Sequence, residues 1–93
     1  MENKEQVNKL FSDIYQQEAK DDVALEALLK AFGDLSDREE AVLTVKYGLK
    51  DGQIKTLEET ATYYGVTREK IRQVIEKAFK KLKHPTRTKN ILI

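Results

Sequence analysis

Apolar and polar residues alternate along the chain with the period of an α-helix rather than that of a β-strand. Near the N-terminus, apolar side chains recur at spacings of three and four residues, which places them on one helical face. This first set comprises Val7, Leu10, Phe11, Ile14 and Tyr15. A second set follows Asp21-Asp22 and comprises Val23, Ala27, Leu28, Ala31 and Phe32. Gly33-Asp34 is expected to end that second helix.

Capping residues predict where the later helices begin and end. Asp21-Asp22 can cap the second helix. Ser36–Glu39 and Thr56–Glu59 both have the spacing of a capping box, in which the hydroxyl and the carboxylate satisfy each other's backbone amides. Thr67 is expected to cap a longer helix that runs to about Lys83, where His84-Pro85 terminates it.

The third helix, which starts at the first capping box, carries a shorter apolar set: Ala41, Val42, Val45 and Leu49. Gly48 stands where a left-handed C-terminal residue is expected. Residues 49–55 contain the turn signal Asp51-Gly52 and predict a loop. No useful length of strand alternation occurs, so the sequence predicts an all-α fold of about five helices.

The segment from Leu57 to Lys77 has the residue sizes of a helix-turn-helix. Ala61 allows two helices to cross closely, and Gly65 supplies a turn residue with positive φ. Val66 is expected to be an apolar plug, followed by an inward-facing set on the second helix: Ile71, Val74, Ile75, Ala78 and Leu82. The adjacent Tyr63 and Tyr64 are interpreted as packing residues facing the core.

The opposite face of the second helix carries groups suited to reading DNA. At about 100° per residue from Ile71, the residues pointing outward are Glu69, Gln73, Glu76, Lys77 and Lys80, flanked by Arg68, Lys70 and Arg72. Arginine pairs with guanine, glutamine with adenine, and glutamate accepts from the cytosine amino group. The lysines suit phosphates, which position a protein without reading sequence. A merely solvated, lysine-rich helix remains an alternative at this point.

Charge is divided unevenly between the two parts of the chain. Residues 1–65 hold 8 Lys/Arg and 14 Asp/Glu, whereas residues 66–93 hold 9 Lys/Arg and 2 Asp/Glu. The net charges are therefore −6 and +7, although the whole chain carries only +1. Such a division indicates one surface for a polyanion and another for a different contact.

Composition excludes several classes of function. The chain has no Cys and one His, so no disulfide, thiolate metal site or Ser-His-Asp constellation is expected, and no enzymatic activity. No metal or other cofactor is expected. No run of about 18 apolar residues is present, and no secretory signal follows Met1, so a cytoplasmic protein without a membrane partner is expected.

Several blocks of the sequence resemble region 4 of the bacterial sigma-70 class of RNA polymerase sigma factors. The resemblance runs from about Leu25 to Lys89 and rests on Leu35–Leu43, Lys46–Leu49, Thr56–Glu59, Gly65–Gln73 and Lys81–Arg87. It implies a domain that binds the promoter −35 element, a TTGACA-like hexamer, and docks on the flap of the polymerase β subunit. An anti-sigma factor or an activator is a further possible partner, and the nucleoid the implied location.

The resemblance also implies roles for individual residues. The residues that would read bases are Arg68, Glu69, Arg72 and Gln73. The residues that would contact the DNA backbone are Arg38, Lys46, Leu57, Glu58, Thr67, Lys70 and Lys77. Thr60 departs from the family, which has an aliphatic residue there, and Ile75-Glu76 replaces a usual Glu-Ala pair.

The expected organisation is an N-terminal amphipathic extension over residues 1–20, a region 4-like domain over 21–89 and a short tail over 90–93. Nothing in the sequence corresponds to the sigma-factor parts that melt DNA. Two other functions stay open at this stage. One is a protein-interaction module that mimics region 4 and binds the β flap, an anti-sigma factor or an activator; the other is an unrelated helix-turn-helix repressor that dimerises through its N-terminal helix.

Overall fold

A computed structural model describes residues 2–84, and these residues form an all-α fold, as predicted. The described helices are α1 (Lys4–Tyr15), α2 (Asp22–Ala31), α3 (Asp37–Lys46), α4 (Leu57–Tyr64) and α5 (Arg68–Leu82). A single 3₁₀ turn, Phe32–Asp34, continues α2, so Gly33 lies inside the helical segment rather than ending it. No strand occurs between residues 2 and 84.

Four helices begin at the capping residues that the sequence predicts. Asp21 accepts a hydrogen bond from the Ala24 amide at 3.0 Å and caps α2. Both capping boxes form, with Ser36 and Glu39 opening α3 and Thr56 opening α4. Thr67 caps α5 by accepting from the Lys70 amide at 3.1 Å. These bonds satisfy amides that the first helical turn leaves without partners.

The apolar face of α1 is part of the protein core. Its residues Val7, Leu10, Phe11 and Ile14 are all buried. The Tyr15 hydroxyl donates to the Leu82 carbonyl at 3.0 Å, and so joins α1 to the end of α5. The Tyr47 hydroxyl donates to Asp13 at 2.6 Å, and burial raises the pKa of Tyr47. Helix α1 is therefore joined to the C-terminal ends of α3 and α5.

The inner face of α5 packs against α3 and α4. Its predicted inward set, from Ile71 to Leu82, is buried throughout. Ala61 of α4 is buried at the crossing, and Gly65 ends α4 with φ +66°. Thr60 is fully buried and its hydroxyl donates to the Thr56 carbonyl at 2.9 Å. This bond satisfies a polar group that would otherwise be costly in the core.

Five side chains that the sequence pattern predicts to be buried are exposed in the structure. Val23 is 71% exposed and Ala41 also faces solvent, so these predictions were wrong. Val66 is 43% exposed and is not a plug; Tyr63 and Tyr64 are exposed and pack on each other with ring centroids 5.0 Å apart. The core uses neighbouring residues instead: Leu25, Leu43 and Tyr47. In α2 and α3 the inward stripe is offset by one or two residues from the predicted one, whereas the predicted inward sets of α1 and α5 lie in or against the core.

Some predictions concern parts of the chain outside the described residues. Termination by Pro85, the domain limit at residue 89 and the tail at 90–93 all lie there. Among residues 2–84, no helix has the length and apolar character needed to cross a lipid bilayer.

Candidate nucleic-acid interface

The N-terminal half of α5 projects four candidate base-reading side chains away from the core. Thr67 and the left-handed Gly65 fix where this helix begins. Ile71 and Val74 anchor its inner face, and the opposite face is exposed at Arg68, Glu69, Arg72 and Gln73. The orientation is the one that the helical projection predicts. The base-reading roles themselves stay predictions.

The arginines of this face are paired with carboxylates. Arg68 Nη1 lies 3.0 Å from Glu58 Oε1, which links the starts of α4 and α5. Arg72 Nε donates to Glu69 Oε2 at 3.0 Å, its Nη2 donates to Glu69 Oε1, and its Nη1 donates to Glu76 Oε1. The hydrogen bonds with Glu69 raise the pKa of Arg72 and lower that of Glu69, so both groups stay charged near neutral pH.

A groove beside this face brings together three of the predicted backbone contacts. It runs between the start of α3 and the middle of α5, and its lining includes Arg38, Lys70 and Lys77 with Gln73. An adjoining groove shares Arg38 and Lys70 but is floored by apolar groups of Val42, Ile71 and Val74. Cations on two different helices therefore flank the exposed face of α5.

A part-buried ion pair between Lys81 and Glu39 holds α5 against α3 at this groove. Lys81 Nζ lies 2.8 Å from Glu39 Oε1, and only 5% of the Glu39 side chain is exposed. Burial raises the pKa of the Glu39 carboxyl, but hydrogen bonds from Lys81 and Ser36 outweigh it, so the pKa lies below its usual range. Sequence reasoning identified the bond to Ser36 but missed the bond to Lys81, 42 residues away.

The other predicted backbone contacts have different surroundings. Lys46 is half-buried, with its ammonium 4.5 Å from the Tyr47 ring centroid, and burial lowers its pKa. Its charged neighbours are Asp13 and Lys9 of α1, so the structure does not bring it into the groove with Arg38. Leu57 packs on the core, and Glu58 is exposed and paired with Arg68. Contacts of Lys46, Leu57, Glu58 and Thr67 with DNA stay predictions.

Sequence reasoning also missed an exposed apolar patch at the turn. It consists of Tyr63, Tyr64 and Val66. The signal available in the sequence was the neighbouring Gly65: a chain reversal leaves the flanking side chains at the edge of the domain rather than under it. Across residues 2–84, no group of three or more His, Cys, Asp or Glu side chains is arranged to hold a metal ion.

A family profile and two curated relatives match overlapping parts of this chain, and all of them are sigma factors or a sigma-factor region. The profile of the family described as sigma-70, region 4, matches residues 31–84, which is more than half of the chain. The RNA polymerase sigma factor SigA of Listeria monocytogenes is 50% identical over 66 residues, as is SigA of Listeria innocua. The aligned stretch covers 71% of this chain but only 18% of each relative. The chain therefore matches about a fifth of the length of these curated relatives.

Proposed function

The chain belongs to the sigma-70, region 4 family, and from this premise we propose that it binds promoter DNA through α5 during transcription initiation. Family membership supports a DNA-binding, transcription-related function that is not enzymatic, as the sequence predicted. The finer proposal is that the DNA is a −35-like element. The observation that carries it is the exposed face of α5, which offers guanidinium, carboxylate and amide groups beside a cationic groove.

Each base-reading role in the proposal follows from side-chain chemistry. The planar forks of Arg68 and Arg72 match the two acceptors of guanine, O6 and N7. Gln73 can donate to and accept from adenine, and Glu69 can accept from a cytosine amino group. All four lie in the first two turns of α5, the part of a recognition helix that enters the major groove.

The backbone contacts in the proposal hold α5 in register on the duplex. Arg38, Lys70 and Lys77 flank the reading face and would neutralise phosphates on either side of the groove. Thr67 and the first turn of α4 present helix N-termini, whose amides favour anions. In this arrangement Glu58 pairs with Arg68 and holds that guanidinium at the start of α5.

We also propose that the domain docks on the flap of the polymerase β subunit and acts in the cytoplasm, at the nucleoid. The relatives are RNA polymerase sigma factors, and this chain matches about a fifth of their length. A partner that attaches the domain to polymerase would raise its effective concentration at the promoter. An anti-sigma factor or an activator remains a further proposed partner.

Substitution of Arg72 tests the reading role. Arg72→Ala should weaken binding to a duplex containing TTGACA by about 1–3 kcal/mol and relax the preference at one base position. Fluorescence anisotropy with the hexamer duplex and a scrambled duplex measures both effects. Lys30→Ala, an exposed change on α2, is the matched control for the lost charge. An equal loss on both duplexes would show that Arg72 contacts phosphate and reads no base.

A second candidate function is a protein-interaction module, favoured by the exposed patch of Tyr63, Tyr64 and Val66. That function predicts binding to a β-flap peptide that survives Arg72→Ala and high salt. The dimeric repressor is not supported, because the chain belongs to a different family and the apolar face of α1, on which that dimer would depend, is buried in the core.

A further inference from the structure

Arg72 is the most heavily paired side chain on the reading face. Glu69 engages its Nε and Nη2, and Glu76, one turn further along α5, engages its Nη1. Guanine recognition needs two parallel N–H groups of the guanidinium. These bonds use three of the five N–H donors of the guanidinium, so a bidentate contact with guanine that needs any of the three must displace a carboxylate.

The two carboxylates differ in what they can do once displaced. Glu69 lies in the first turn of α5, where a carboxylate can accept from a base. Glu76 lies in the third turn, and its side chain is 57% exposed. The nearest negative charges of a bound duplex would repel it. Glu76 therefore opposes DNA binding in two ways, by holding Arg72 and by its own charge.

We propose that Glu76 is an affinity-setting residue that competes with DNA for the Arg72 guanidinium. This inference rests on the proposed function and adds to it a residue that has no assigned role in base or backbone contact. An internal competitor lowers the affinity of the isolated domain for DNA. Occupancy of a promoter then depends more strongly on a second attachment, such as the one to polymerase.

The test is a double-mutant cycle of Glu76→Gln and Arg72→Ala, measured by anisotropy on the hexamer duplex at low salt. Glutamine keeps the size and removes the charge. Glu76→Gln should tighten binding about two- to fivefold, the range expected for an exposed ion pair plus a removed repulsion. In the Arg72→Ala background, the same change should have a smaller effect, since only the repulsion is left to remove.

Glu26→Gln is the matched control, because it removes the same charge from an exposed position on α2. It should tighten binding by less than Glu76→Gln does, because α2 carries none of the proposed DNA-contacting residues. Thermal unfolding of each variant checks that the fold is retained.

The outcomes distinguish failure of the proposed DNA-binding function from failure of the inference about Glu76. If the wild-type protein binds neither the hexamer nor a scrambled duplex at low salt, the proposed function fails and this inference fails with it. If the wild type prefers the hexamer but Glu76→Gln binds no more tightly, only this inference fails. An equal gain in both backgrounds would show that Glu76 acts by repulsion alone, and competition for Arg72 would be overturned.

Discussion

The buried polar side chains of Thr60 and Glu39 are hydrogen-bonded to other groups of the protein. The Thr60 hydroxyl donates to the Thr56 carbonyl, and the Glu39 carboxylate accepts from the Ser36 amide and from Lys81. Each buried polar group thereby recovers hydrogen bonds that it loses on leaving water. The bonds within one helix turn could be predicted, because capping boxes have a fixed spacing. The Lys81 bond could not, since it depends on how α5 crosses α3.

Glu39→Gln should destabilise the protein by about 1.5–3 kcal/mol at pH 7, the range for a hydrogen bond to a charged group. Glutamine can still accept from the Ser36 amide, so the change isolates the charge that faces Lys81. Folding lowers the pKa of Glu39, so its stabilisation is present above the unfolded pKa of about 4.3 and is lost as pH falls through the folded value.

Urea unfolding at pH 7, 5 and 3 measures this difference. The difference in free energy of unfolding between wild type and Glu39→Gln should be largest at pH 7 and should disappear as the pH falls below the folded pKa of Glu39. Glu40→Gln, on the exposed side of the same helix turn, is the control and should change stability by no more than about 0.5 kcal/mol. A gap of the same size at pH 3 and pH 7 would contradict the assigned role of the carboxylate.

At the scale of whole helices, the starts of α2 to α5 were predictable and the buried faces were less so. Caps at Asp21, Ser36, Thr56 and Thr67 are local features, and all four form. Which face turns inward depends on neighbours distant in sequence. Helix α3 buries Val42 and Leu43 while Ala41 faces solvent. The same holds for the candidate site. The periodicity of α5 alone predicts which of its residues face outward, but it does not predict that Arg68 pairs with Glu58 of α4.

Two glycines at helix ends allow strain and steric clash to be measured separately. Gly48 and Gly65 have nearly the same backbone angle, with φ +62° and +66°. A Cβ at Gly65 would meet nothing within 4 Å, whereas a Cβ at Gly48 would lie 2.6 Å from the Gln53 carbonyl oxygen. Gly65→Ala should therefore cost about 1–2 kcal/mol from the left-handed conformation alone.

Gly48→Ala should lower the free energy of unfolding by about 2–5 kcal/mol, because overpacking adds about 1–3 kcal/mol to the same strain of about 1–2 kcal/mol. Urea denaturation of both variants measures the difference. Gly65→Asn is the control, since asparagine tolerates the left-handed region, and it should recover part of the loss. Equal losses for the two alanine variants would mean that the backbone near Gln53 yields, and that strain alone accounts for both.

The division of charge along the sequence has a spatial counterpart in the whole molecule. The basic end of the chain supplies α5, and Arg38, a cation from the acidic part, lies beside it in the same groove. Composition could predict a polyanion-binding surface. It could not predict that Arg38 joins that surface while Lys46 lies against α1, because the two residues stand at opposite ends of α3 and the packing of that helix decides which neighbour each end meets.

The logarithm of the DNA association constant should fall linearly with the logarithm of salt concentration, with a slope set by the number of phosphates neutralised. Alanine substitutions of Arg38, Lys70 and Lys77 should each reduce the slope by about 0.9, and the triple variant by about 2.7, if each residue neutralises one phosphate. Anisotropy titrations from low to physiological salt measure the slopes, and Lys30→Ala on α2 should leave the slope unchanged. Lys46→Ala in the same series decides whether that residue also reaches the backbone. A triple variant with the wild-type slope would mean that DNA lies on another face, because cations that release no counterions cannot flank the bound duplex.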